Sequence, residues 1–207
     1  MEAPQAMIPR VGAVLLAVLG IAVLSCQLTD ASAPVSDVTA PEVVPVAADP
    51  VVEYIEARAA SLTREEVVRV AAAIRGEALR FGLTLELVLA VIEVESRFDA
   101  FAVSSVGALG LMQILPSTGE ALAARLDIPW QGPRTLLDPV TNVTLGIAYL
   151  AELQARFGHW PTALAAYNRG PSAIGRRLSA GVPIPDGYAQ RVRAAQRRGA
   201  ASGASTS

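Results

Sequence analysis

From residue 63 onward the apolar positions of this chain recur with helical spacing, punctuated by helix start and stop signals. Thr63 and Glu66 form a capping box that predicts a helix to about Phe81, with Gly82 ending it. Thr84 is placed to cap a second helix through about Arg97. Shorter helices are expected near Leu109–Leu115 and Ser117–Leu126. Asp138-Pro139 sets an acidic cap before a proline at the first helical position, and that helix should reach Phe157, with Gly158 after it. Another runs from Pro161 to about Asn168 and meets Gly170-Pro171, and residues 172–179 and 187–198 also read as helical. No segment alternates as a strand does, and no internal repeat is present. The expected fold is all-α with a single core over residues 51–197, followed by a disordered tail at 198–207.

The second of these helices carries a carboxylate out of pattern. Leu87, Val88, Val91, Ile92 and Val94 mark its buried side, while Glu86, Glu93 and Arg97 form a polar stripe. At about 100° per residue, Glu95 falls opposite that stripe and extends the apolar face. A carboxyl in that position is desolvated, which raises its pKa and suits it to general acid work. Periodicity alone leaves a second reading open, a helix-end Glu turned to solvent or paired with an Arg.

Composition narrows the choices. Hydrophobic residues make up 52% of the 207 positions and aromatics only 5%, a balance that favours helix. All 17 basic residues are Arg; against 19 acidic ones they leave a net charge of −2, which argues against a dedicated nucleic-acid binder. One Cys excludes an internal disulfide and a Cys cluster, and one His argues against a His-rich metal site, so no metal or cofactor is expected. Residues 171–207 hold six Arg and one Asp, either a solvated face or a surface for an anionic polymer or membrane.

The N-terminus reads as an address. Val11 to Leu24 is apolar or small throughout, too short for the ~20 residues a spanning helix needs and suited to an export signal, with Arg10 before it. The run ends in Leu24-Ser25-Cys26, which resembles a bacterial lipobox and implies a signal peptide over 1–25 and lipidation of Cys26. Gln27 in place of Asp points to the outer rather than the inner membrane, facing the periplasm. Residues 26–50, rich in Pro and acidic with no base, read as a disordered linker. Its reach is roughly 25–30 Å on average.

After Glu95 the chain reads Glu95-Ser96, then Ser104-x-x-Gly107-Ala108-x-Gly110-Leu111-Met112-Gln113-x-x-Pro116. It continues with Asp138-Pro139-x-x-Asn142-x-x-x-Gly146-x-x-Tyr149-Leu150 and then Ala165-Ala166-Tyr167-Asn168-Arg169-Gly170-Pro171. These three blocks in order resemble the lytic transglycosylases of the soluble Slt type, kin to goose-type lysozymes in glycoside hydrolase family 23. The resemblance implies a lysozyme-like domain whose central helix carries the catalytic Glu. It implies non-hydrolytic cleavage of the β-1,4 bond between N-acetylmuramic acid and N-acetylglucosamine in peptidoglycan, leaving 1,6-anhydro ends. By position Glu95 is the acid/base; Ser104, Met112, Gln113, Tyr167 and Asn168 are substrate-binding, with Tyr167 close to Glu95; Ser96 supports the helix end. Asp99 reads as a turn residue and His159 as surface, while Tyr149, Trp130 and Trp160 read mainly as packing. Two departures stand out. Arg169 replaces a small residue, and Pro183 to Tyr188 replaces the family's Glu-Thr pair, although Tyr188 and Val192 keep its Tyr-x-x-x-Val spacing. The implied partners are glycan strands and, through Cys26, a membrane; other cell-wall or secretion-machine proteins are compatible, and a monomer is expected. A hydrolytic goose-type muramidase and a non-catalytic peptidoglycan-binding lipoprotein are the competing readings.

Overall fold

The computed structural model describes residues 49–203. The signal segment, Cys26 and all of the linker before Asp49 lie outside the described residues. Among the described residues eight helices follow one another: α1 Pro50–Glu56, α2 Arg64–Phe81, α3 Leu85–Glu95, α4 Pro116–Leu126, α5 Pro139–Phe157, α6 Trp160–Arg169, α7 Pro171–Ser179 and α8 Gly187–Gly203. A 3-10 turn, Pro133–Leu137, precedes α5. No strand occurs among the described residues, and none of their helices is long and apolar enough to cross a membrane.

The caps do what their chemistry predicts. Thr63 and Glu66 exchange side-chain and backbone bonds at the start of α2, and Thr84 accepts from the Leu87 amide to open α3. Asp138 accepts from the Thr141 amide and so starts α5. Gly82 and Gly158 close their helices at φ 65° and 67°, the left-handed region a glycine enters without steric cost.

α2 lies against α5, α3 against α8, and α6 touches α5, α7 and α8. Val88, Val91 and Ile92 of α3 are fully buried, as are Leu145, Ile147 and Leu150 of α5, so both helices run through the core.

Four elements depart from the sequence expectation. Residues 109–115 are not helical: Leu109 makes isolated bridges to Val103 and Ile114. Gly107, Gly110 and Gln113 take φ of 78°, 76° and 49°, which no right-handed helix accommodates. α3 stops at Glu95, and Arg97 and Phe98 turn left-handed, so Arg97 does not extend the polar stripe. α1 begins within what read as linker: Asp49 accepts from the Val51 and Val52 amides and is gripped by the Arg75 guanidinium of α2, which holds its carboxyl down at about 2. α8 continues to Gly203, past the expected end, and Gly199 lies against the Tyr54 ring where a Cβ would sit 3.3 Å from the hydroxyl.

Candidate active site

Glu95 ends α3 half-buried, and burial moves its carboxyl above the ordinary value of 4.5. Two groups oppose that rise, the Tyr188 hydroxyl and the positive charge of Arg191. The hydroxyl donates to Glu95 Oε1 at 2.5 Å. α8 delivers it by simple periodicity: Tyr188, Val192 and Ala195 fall on one buried stripe packed against α3. The Arg191 guanidinium carbon sits 5.3 Å from the Tyr188 ring centroid.

Behind Tyr188 stands a row of phenols. Tyr167 stacks on Tyr188 with centroids 6.4 Å apart, and Tyr149 leans on Tyr167 at 5.4 Å. Burial first, then the negative charge of Glu95, pushes the Tyr167 and Tyr188 hydroxyls well above their ordinary 10. Both therefore keep their protons near neutral pH and act as donors. Tyr167 spends its own on the Met112 carbonyl at 2.8 Å, not on Glu95. The Glu95 partner is thus Tyr188, whose spacing the sequence preserved without disclosing its role.

The loop from Ala102 to Ile114 is fastened at several points. Ser96 Oγ donates to the Leu111 carbonyl at 2.8 Å and to Ile92 at 3.3 Å, which ties the end of α3 to this loop. Gln113 Nε2 donates to the carbonyls of Ala102 and Gly110, both at 3.0 Å, leaving Oε1 as its acceptor. Ser104 Oγ accepts from the amides of Val106 and Ala108, so its own hydrogen remains available to a ligand.

The central fastener is Asn142 of α5, fully buried. Its Oδ1 accepts from the Met112 amide at 2.8 Å, and its Nδ2 donates to the carbonyls of Leu109 at 2.9 Å and Leu136 at 2.8 Å. Gly110 must be glycine here, because a Cβ would lie 2.4 Å from Asn142 Nδ2 as well as at φ 76°.

Met112 corrects an expectation. Its side chain has no exposure and fills the slot that Gly146 leaves on α5, so it does not line an open cleft. Its backbone carries the contact to Tyr167 instead. Asn168 is exposed at the next position of α6. Asp99 is exposed and accepts from the Phe101 amide at 3.0 Å, a local turn. His159 is exposed, Trp130 packs over Gly119, and Trp160 packs on the core. Among the described residues no group of three or more His, Cys, Asp or Glu could hold a metal ion.

This arrangement presents one carboxyl of raised pKa, aimed by a buried phenol and flanked by a rigid loop of polar atoms. Comparison with known proteins follows the same lines. The soluble lytic murein transglycosylase of Salmonella typhimurium is 40% identical over 88 residues, which is 42% of this chain and 14% of that protein. The membrane-bound lytic murein transglycosylase C of Actinobacillus pleuropneumoniae is 38% identical over 111 residues, 49% of this chain and 30% of the relative. The chain therefore spans less than a third of the length of these relatives. The crystal structure of the 70-kDa soluble lytic transglycosylase of Escherichia coli superposes with a TM-score of 0.54 at 31% identity, covering 60% of this chain and 23% of that one. The transglycosylase SLT domain family matches residues 72–181. That segment is more than half of the chain and holds Glu95, the fastened loop and Tyr167; the chain belongs to the transglycosylase SLT domain family.

Proposed function

We propose that this protein is a peptidoglycan lytic transglycosylase in which Glu95 serves in turn as general acid and general base. In the first step Glu95 donates its proton to the glycosidic oxygen of the β-1,4 bond between N-acetylmuramic acid and N-acetylglucosamine, and that C–O bond breaks. The substrate's own acetamide stabilises the cation at the muramic C1. Glu95, now a carboxylate, takes the proton of the muramic C6 hydroxyl, and the oxygen closes on C1 to form the 1,6-anhydro ring. The proton given in the first step is recovered in the second, and no water is consumed.

One observation carries this reading: Glu95 is a desolvated carboxyl of raised pKa, hydrogen-bonded by Tyr188, while Asp99 accepts from an amide of its own turn. Glycosidases that hydrolyse with two carboxylates need the second across the bond. Ser104 through its free hydrogen and Gln113 through Oε1 are placed in this reading to hold the sugar or its acetamide, with Asn168 at the exposed end of α6. Lipidation of Cys26 would hold the domain in the cell envelope, facing the periplasm from the outer membrane. The names of the soluble and membrane-bound relatives support an envelope location.

The test of cleavage is the release of soluble muropeptides from purified sacculi by the full chain and by Glu95→Gln. Release by the first alone is expected; equal release by both would remove Glu95 from the chemistry. Loss of palmitate labelling in Cys26→Ser is the expected result for the anchor.

A further inference from the structure

We infer that Arg169, Arg176 and Arg177 form a subsite for the carboxylates of the peptide stem that peptidoglycan carries on its muramic residues. This rests on the reading of the Glu95 site as one that acts on peptidoglycan. Arg169, Arg176 and Arg177 line one hollow between the end of α6 and α7, and no acidic residue lines it with them. Like charges gathered without a counter-charge repel one another, and an anionic ligand relieves that repulsion. Arg177 is held in place: its Nε and Nη2 both donate to the Pro183 carbonyl, at 3.0 and 2.8 Å. That contact fixes the side chain and leaves its positive charge uncancelled. Arg169 and Arg176 are exposed, so their donors are open to a ligand.

The remaining lining chooses the ligand class. Ile174 is fully buried beneath the hollow and Val182 is 41% exposed at its edge. Guanidinium groups over short aliphatic surface fit a carboxylate on an aliphatic stem, as in an anionic peptide. A flat lipid surface would not enter the concavity. Arg169 lies two residues beyond Tyr167 on α6, about 3 Å along its axis and about 200° round it, so a stem reaches it by passing round the end of the helix. An extended stem of four residues spans roughly 13–14 Å.

The probe is the free stem tetrapeptide released from sacculi by an amidase, titrated calorimetrically into the detergent-solubilised full chain. Arg169→Gln combined with Arg176→Gln is expected to weaken its binding at least about tenfold, as loss of charge-assisted hydrogen bonds predicts. A charge-matched control, Arg80→Gln with Arg134→Gln, should bind as wild type does. The same peptide with its carboxylates converted to amides should bind wild type no better than it binds the double variant. The inference is overturned if wild type does not bind the tetrapeptide, if the double variant binds it equally well, or if the amidated peptide binds as tightly. It is also overturned if the two substitutions abolish capture by phosphatidylglycerol vesicles while leaving peptide binding intact. Arginine-dependent peptide binding by a chain that releases nothing from sacculi would uphold this subsite and reject the proposed reaction.

Discussion

Replacing Asn142 by Ala removes a buried side chain that joins α5, the 3-10 turn and the loop bearing Ser104 and Gln113. Three bonds of 2.8 to 2.9 Å are lost at a site with no exposure. The Met112 amide and the Leu136 carbonyl are then left buried without a partner, at about 1–3 kcal/mol for each, while the Leu109 carbonyl keeps the Ile114 amide at 3.0 Å. Partial relaxation keeps the sum toward the low end, about 2–4 kcal/mol. That is a large part of the ~5–15 kcal/mol by which domains are stable. Urea unfolding should show it as a midpoint lowered by about 1–2 M for a slope near ~2 kcal/mol/M. Amide exchange at Met112 should accelerate by more than the global loss of stability, because its acceptor is gone. Asn142→Asp sharpens the test. It keeps an acceptor for the Met112 amide but sets an oxygen against two carbonyls, so its carboxyl is pushed upward. Its stability should therefore be greatest at acid pH and fall as pH rises through the raised value. A midpoint within about 0.5 M of wild type for Asn142→Ala, with Met112 still protected, would refute the clamp.

Three further outcomes follow from the same geometry. Glu95→Gln keeps an oxygen for Tyr188 and removes a half-buried acid. Because the folded carboxyl sits above its ordinary 4.5, wild type loses stability as pH rises past that value, so the variant should melt higher at pH 7 and the gap should close below it. Tyr188→Phe deletes a hydrogen bond that lowers the Glu95 carboxyl, so the basic limb of the pH–rate profile should move to higher pH while turnover drops about 10–100-fold, the range for a bond to a charged group; a limb moving to lower pH would contradict the assignment. Gly146→Ala places a Cβ 2.4 Å from Met112 Sδ and 2.6 Å from its Cβ, and calorimetry should show a loss of about 1–3 kcal/mol.

What the sequence disclosed was local. Thr63, Thr84 and Asp138-Pro139 start their helices within one turn of themselves, so caps and stops could be read directly. Glu95 was legible in part for a related reason: helical periodicity sets it opposite the polar stripe, and the Glu95-Ser96 block then gave it a role through the resemblance. What stayed hidden depends on distant partners. Tyr188 reaches Glu95 across 93 positions, and Asn142 holds the Met112 amide across 30. α1 needs Arg75 to anchor Asp49, 26 positions away, and without that knowledge Pro50 reads as the last proline of a linker. The 109–115 loop looked helical because apolar residues crowd it; the left-handed turns that unwind it are fixed by Gly110 against Asn142. The resemblance assigns Met112 to the cleft by its position in the motif, whereas the slot that buries it belongs to Gly146 on another helix.

The account's central claim is that Glu95 alone carries both proton transfers. The measurement that reaches it most directly is the mass of the muramic ends that the full chain releases from purified sacculi, with Glu95→Gln run beside it. Ends in the 1,6-anhydro form, one water lighter than the reducing form and absent with Glu95→Gln, are the predicted result. Reducing ends would mean that water is the acceptor and that the Glu95 carboxylate does not activate the C6 hydroxyl.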